Sequence, residues 1–289
     1  MRIPKGGIGV FDSGIGGLTV LAACVQSLKD EIFYYYGDNR HAPYGNLKAK
    51  EIKRYVDKAF KVFARLKVKA VVIGCNTATA VCVEELRKRY PFPIIGAEPA
   101  IFSAAKEGGE VWALATKATC NSERFNNLIN KASEKFPNAK IVPKACPTLA
   151  GAIEKNLLQN AFDYTPFLPR GKPDSIVLGC THYIYIKEQI KRRYNCKVYD
   201  GNIGIVNRLK FVCKESKSSK NREERPLKSS IISNIGKFSK SINIAKRKYK
   251  NKRFFRKTKK MPSHEEYPSV FFVSRTKKVN KTVYKQMFA

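Results

Sequence analysis

The sequence predicts an α/β fold made of two similar parallel-sheet halves, and three observations carry that prediction. Short apolar runs alternate with stretches of helical spacing from the N-terminus to about residue 212, the grammar of strand-helix repeats. Two runs echo each other, Ala70-Val71-Val72-Ile73-Gly74-Cys75-Asn76-Thr77-Ala78 and Ser175-Ile176-Val177-Leu178-Gly179-Cys180-Thr181-His182-Tyr183. Each is a continuous apolar stretch closed by Gly-Cys, which reads as a strand buried on both faces. The echoes lie about one domain length apart, so each half would deliver one thiol to a shared cleft. The carboxyl edge of an open parallel sheet is where such folds place their chemistry.

A cysteine at a strand end is ordinarily a packing residue. Here Asn76, Thr77, Thr181 and His182 follow the two thiols directly, and a packing cysteine has no need of polar neighbours.

At 289 residues with 43% hydrophobic content the chain can hold two ordinary domains with real cores. No apolar run approaches the roughly 18 residues needed to span a bilayer. Gly6, Gly7, Gly9 and Asp12 interrupt the start where a signal peptide would be apolar, so a cytoplasmic protein is expected. Eight cysteines without any Cys-x-x-Cys suit a reducing compartment better than a disulfide framework. The histidines His41, His182 and His264 have no ligand-like spacing to a cysteine pair, so no metal site is expected. The net charge of +33 is unevenly spread: residues 214 to 266 hold 18 Lys or Arg against 5 Asp or Glu. The rest of the chain is basic too, which suits an anionic substrate or partner.

In chain order, Gly7 to Phe11 is the first strand, leading through Asp12-Ser13-Gly14-Ile15-Gly16-Gly17 to a helix over Leu18 to Leu28. A glycine turn at a helix start is an anion site in principle. The spacing falls short of the dinucleotide fingerprint, and its acid would repel a pyrophosphate. Glu31 to Tyr36 is the next strand, followed by Gly37-Asp38, a loop with the rigid turn Pro43-Tyr44-Gly45, and a helix from Lys48 to Leu66. Val68 to Gly74 precedes Cys75, and a helix runs from Ala78 to Tyr90. A thiol at such a junction faces the positive end of the helix dipole. Strand Ile94-Ile95-Gly96 is followed by strand Val111 to Ala115, and Ser122 caps a helix that runs through Ala132. Ile141-Val142-Pro143 and Cys146-Pro147 precede a short helix carrying Glu154. After Cys180 come a helix from Tyr185 to Tyr194, a strand over Cys196 to Tyr199, and a helix from Ile203 to Val212.

From Lys214 the pattern dissolves into Lys, Ser, Asn and Arg, densest at 246–260 with Tyr249, Phe254 and Phe255 interleaved. Such a segment reads as a disordered insertion, with nucleic-acid stacking or an anionic membrane surface as the other readings. Val270 to Val273 resumes as a strand, and Val279, Val283 and Met287 form a helix face.

Taken in order, Phe11-Asp12-Ser13-Gly14-Ile15-Gly16-Gly17, Gly37-Asp38 with Pro43-Tyr44-Gly45, Cys75-Asn76-Thr77-Ala78, Ala118-Thr119, Cys146-Pro147 with Glu154, and Cys180-Thr181-His182-Tyr183 resemble the signature of the glutamate racemases. The resemblance spans residues 6 to about 212 and resumes at 270 to 288. It implies two flavodoxin-like α/β domains related by pseudo-symmetry, with the active site in the cleft between them and no cofactor. The first domain would comprise 1–96 with 207–213 and 268–289, the second 97–206, with 214–267 as the basic insertion. By motif, Cys75 and Cys180 would be the acid/base thiols, on the D-face and the L-face respectively. Asp12 and His182 would assist them, with Glu154 beside His182. Asp12, Ser13, Pro43, Tyr44, Gly45, Asn76, Thr77, Thr119, Thr181 and His182 would hold the amino acid. The implied activity is interconversion of L- and D-glutamate for peptidoglycan by a homodimer. An aspartate or hydantoin racemase is the near alternative, and a nucleic-acid-binding role through 246–260 the distant one. Arg40-His41-Ala42, and Ile184 where proline is common, depart from the family pattern.

Overall fold

The computed structural model describes residues 6–157, 159, 162–215, 270–274 and 277–287. The first sheet contains β1 (Ile8–Asp12), β2 (Phe33–Gly37), β3 (Ala70–Ile73), β4 (Ile94–Gly96) and β9 (Val270–Phe272). The second contains β5 (Gly109–Ala115), β6 (Ala139–Ala145), β7 (Ser175–Leu178) and β8 (Lys197–Asp200). Strand order is β4-β3-β1-β2-β9 in one and β6-β5-β7-β8 in the other, and every pairing is parallel. Matching β5, β6, β7 and β8 to β1, β2, β3 and β4 makes the two orders the same. The fold is therefore two parallel-sheet α/β domains of one topology, with β9 as an extra edge strand on the first. The Cys75 and Cys180 strands, β3 and β7, occupy equivalent places.

The apolar runs become strands for the reason the sequence suggests: β1, β3 and β7 are buried along their whole length. The helices follow as α1 (Gly17–Ser27), α2 (Ala49–Arg65), α3 (Asn76–Arg89), α4 (Ile101–Ala105), α5 (Lys117–Cys120), α6 (Glu123–Lys135), α7 (Leu149–Asn156), α8 (Lys187–Tyr194), α9 (Asn202–Glu215) and α10 (Lys277–Met287). In α2 the buried residues Ile52, Tyr55, Val56, Ala59, Phe60 and Phe63 recur every three or four positions. Its N-terminus is closed by Glu51, which accepts the Lys48 N–H at 3.1 Å. Phe63 lies over Gly9 of β1 so closely that a Cβ there would sit 2.9 Å from its ring. α3 ends in Arg87-Lys88-Arg89, cations at the negative end of its dipole, before Pro91 and Pro93 prevent continuation.

One local expectation is corrected, and two short helices add to the reading. Thr181–Ile186 is a 3-10 segment and α8 begins only at Lys187, not at Tyr185, because the chain closes tighter three-residue turns there, the Tyr183 N–H bonding the Cys180 carbonyl at 3.1 Å and the Lys187 N–H the Ile184 carbonyl. α4 and α5, of five and four residues, are too short to show a period. α9 contains the helix expected over Ile203 to Val212, and it packs on α1, β3 and β4. The basic segment expected at 214–267 lies outside the described residues apart from the end of α9, as do the side chains of Val279 and Met287. Val283 is buried against the core. Among the described residues no helix is long and apolar enough to cross a membrane.

Candidate active site

The carboxyl ends of β1 and β3 face those of β5 and β7, and the polar turns after these strands meet. After β1, Asp12 is fully buried. Its Oδ1 accepts the Gly14 N–H at 2.9 Å, and its Oδ2 accepts the Thr181 hydroxyl of the other half at 3.2 Å. Tyr35 donates to the Gly14 carbonyl at 2.6 Å and Tyr185 to the Ile15 carbonyl at 2.8 Å. The turn is thus held from both sheets. After β3, Cys75 serves as the N-cap of α3, its Sγ accepting the Ala78 N–H at 3.4 Å. Ser13 also hydrogen-bonds this thiol.

After β7, the Cys180 Sγ lies 3.7 Å from His182 Nδ1, and His182 Nε2 lies 2.6 Å from Glu154 Oε2 on α7. Glu154 in turn accepts the Ile15 N–H at 3.2 Å and the Asn39 amide at 2.7 Å, both from the first half. Such proximity requires glycine opposite: a Cβ on Gly14 would sit 2.6 Å from Glu154 Oε2, and one on Gly16 would sit 2.6 Å from His182 Nδ1.

A second polar group links the halves at the N-termini of α3 and α5. The hydroxyls of Thr77, Thr116 and Thr119 form a triangle with edges of 2.9, 3.0 and 3.1 Å, and all three residues are buried. Gly45 abuts it, since a Cβ there would be 2.6 Å from Thr116 Cβ. Tyr44 is anchored by its hydroxyl to Asp38 at 2.7 Å, and Pro43 packs beside Gly151 of α7. The Asn76 side-chain oxygen is buried without a hydrogen-bond partner among the described residues, an acceptor open to a donor from a bound molecule.

The candidate site residues singled out from the sequence lie at these facing turns, with Glu154 reaching them from α7. Thr116, Asn39, Asp38 and Tyr185 were not among them. Thr116 carried a usable signal, since a threonine after a buried strand and three residues before another reads as a helix cap. Asn39 and Tyr185 act through contacts remote in sequence, and Asp38 holds Tyr44 from within the same loop.

The electrostatics of the two thiols differ. Burial, reinforced by the neighbouring Asp12 carboxylate and opposed by hydrogen bonds from Ser13 and Ala78, pushes the Cys75 thiol up to about 12. Burial likewise raises Asp12 to about 6, with His182 and the Gly14 N–H pulling the other way. Burial works against a charged His182, but its hydrogen bonds to Cys180 and Glu154 outweigh that and lift it well above the usual histidine range. Burial also opposes ionisation of Glu154, and His182, Asn39 and the Ile15 N–H together overcome it. Near neutral pH one side of the cleft presents a protonated thiol, and the other places the Cys180 sulfur beside an imidazolium clamped by a carboxylate. Among the described residues no group of three or more His, Cys, Asp or Glu is placed to hold a metal ion.

Comparison with known proteins agrees with this geometry. The family model for Asp/Glu/hydantoin racemase matches residues 8–209. A glutamate racemase of Clostridium perfringens is 42% identical over 217 residues, covering 70% of this chain and 81% of that one. The crystal structure of Escherichia coli glutamate racemase in complex with L-glutamate and the activator UDP-MurNAc-Ala superposes with a TM-score of 0.64. It is 27% identical and covers 73% of this chain and 83% of its own. The glutamate racemase of Francisella tularensis in complex with D-glutamate gives a TM-score of 0.62 at 27% identity, over 82% and 94% of the two chains. A duplicated parallel fold, two thiols at matching strand ends and a family match over most of the chain lead to one statement: this chain belongs to the Asp/Glu/hydantoin racemase family of isomerases.

Proposed function

We propose that the protein is a cofactor-independent glutamate racemase that moves the Cα proton between two thiols on opposite faces of the substrate. The observation that carries this reading is the asymmetric pair itself: Cys75 beside Asp12 and Ser13 in one half, Cys180 beside His182 and Glu154 in the other. Inverting a stereocentre requires taking a proton from one face and returning one to the other. In the L to D direction Cys180 is the acceptor, with the His182 imidazolium balancing the thiolate charge. As the Cα–H bond breaks, its electron pair spreads into the substrate carboxylate, and Cys75 delivers its proton to the opposite face. The turnover leaves a thiol at Cys180 and a thiolate at Cys75, the arrangement that runs the reverse reaction.

The Cα proton of an amino acid is weakly acidic, so donors must already point where charge develops. The N–H groups at the starts of α3 and α5 supply them, beside the hydroxyls of Ser13, Thr77, Thr116, Thr119 and Thr181. The free Asn76 oxygen suits the substrate ammonium. Pro43, Tyr44 and Gly45 form the wall between the halves. Glutamate rather than aspartate or a hydantoin is supported by the Clostridium relative's name and by the two glutamate enantiomers in the Escherichia and Francisella structures. Supply of D-glutamate to peptidoglycan in the cytoplasm, by a homodimer, belongs to the same proposal. So does weak polyanion binding through 246–260, residues outside those described.

Circular dichroism of L-glutamate incubated with the protein and no added cofactor tests the reading. The expected result is decay of the signal to zero as the racemate forms. A steady glutamate signal, with aspartate or a hydantoin racemised instead, would overturn it.

A further inference from the structure

We infer that Asn39 is a positioning residue for the reaction: its side-chain amide, carried by the first half, seats the Glu154 carboxylate of the second half against His182. The inference rests on the racemase reading above and gives a role to a residue outside both thiol motifs.

Glu154 rides on α7 of the second half, yet its carboxylate is seated mainly by the first. Oε1 accepts the Asn39 Nδ2–H at 2.7 Å. Oε2 accepts the Ile15 N–H at 3.2 Å and lies 2.6 Å from His182 Nε2. The floor of the seat is Gly14, where any Cβ would come within 2.6 to 2.9 Å of the carboxylate. Two of the three donors to Glu154, and the surface it rests on, therefore belong to the opposite half from Glu154 and His182. Separating the halves removes both donors and leaves the carboxylate free to turn away from the imidazole. The Cys180–His182–Glu154 line is completed only when the cleft is closed, so the proton acceptor is assembled together with the substrate cavity.

An amide suits this position because it donates without adding charge. A carboxylate at 39 would face Glu154 with like charge, and an aliphatic side chain would leave a largely buried Oε1 without its donor. The titratable groups around Glu154 are Asp12 on β1, Tyr35 on β2, and His182 and Tyr185 on the 3-10 segment. Tyr35 and Tyr185 are engaged with the Gly14 and Ile15 carbonyls, and Asp12 is an acceptor bonded to Gly14 and Thr181. Among the described residues it is Asn39 that meets Oε1.

The experiment compares Asn39→Leu, Asn39→Asp and Asn39→Gln with the wild type in the full chain, by circular dichroism of glutamate racemisation between about pH 5 and 9 and by thermal unfolding. In the Leu variant kcat/KM is expected to fall about tenfold, the scale of one hydrogen bond to a charged group. Its acid limb should move to higher pH, because a carboxylate short of one donor takes up a proton more readily. The Asp variant should lose more, and the longer amide of Gln should recover activity to within a few-fold of wild type. An acid limb in the Leu variant that stays in place, or losses that follow only a lowered melting temperature, would overturn the inference. The His182 imidazole titration, followed by NMR, needs no turnover: it should move down in the Leu variant. An unmoved titration refutes the Asn39 role whether or not the wild type racemises glutamate, and a wild type that does not do so refutes the racemase reading alone.

Discussion

Replacing Gly16 by alanine tests how closely the two halves must approach for the chemistry. A Cβ at this position would lie 2.5 Å from Thr181 Oγ1, 2.6 Å from His182 Nδ1 and 2.8 Å from the His182 backbone nitrogen. Ordinary contact for such atoms begins near 3.4 Å, so the segment carrying Cys180 and His182 must retreat by roughly 1 Å. A displacement of that size at a reacting centre costs on the order of a hundredfold in rate, or about 2.7 kcal/mol of transition-state stabilisation. The backbone makes the test clean, because Gly16 has φ −54° and ψ −41°, a conformation alanine adopts without strain. Alanine there also restricts the unfolded chain, worth about 0.4–1 kcal/mol, so the melting temperature should change by only a few degrees while activity falls. Initial rates from both enantiomers by circular dichroism, with a thermal melt of the same sample, give both quantities. L- and D-glutamate are mirror images of equal free energy, so kcat/KM must fall equally in both directions. Wild-type kcat/KM in a folded Gly16→Ala protein would refute the reasoning.

Three further outcomes are expected. Racemisation in deuterated water should place deuterium at Cα of the product faster than of the remaining substrate, since each thiol services one face; product that keeps the original proton would point to a single base. Cys75→Ser and Cys180→Ser should each abolish racemisation, while each variant still eliminates a good leaving group from one enantiomer of a substrate analogue, a step that needs one base; equal loss for both enantiomers in both variants would count against separate faces. Asp12→Asn should make the protein more stable above neutral pH. Because burial raises Asp12 from 3.8 to about 6, its favourable contribution is present below about pH 4 and lost as pH rises through 6. The ionised form then costs up to about 3 kcal/mol that asparagine removes. Urea unfolding at pH 8 measures this, and a variant less stable than wild type there would reject it.

Much of this molecule is legible locally. A strand buried on both faces must be apolar throughout, so β1, β3 and β7 stand out as runs, and α2 shows its buried stripe because one face of a helix meets the sheet. The thiols are legible for the same reason: each follows directly on such a run, where a parallel sheet exposes its carboxyl edge. Burial misleads where it is complete, as at Tyr183, Ile184 and Ile186, whose all-round apolar surroundings hide whether the turn is 3-10 or α. The partners of the reacting groups are a different matter. Asn39 meets a carboxylate 115 positions away, Tyr185 a carbonyl 170 away and Asp12 a hydroxyl 169 away. No periodicity records such pairs, because a hydrogen bond between two sheets depends on how their edges face each other and not on the spacing of either chain segment. The sequence by itself determined two sheets, their strand ends and the two thiols. Only the tertiary structure decided that Glu154 would be gripped from the opposite half, because that grip exists only where Gly14 and Gly16 let the two edges approach without a side chain between them.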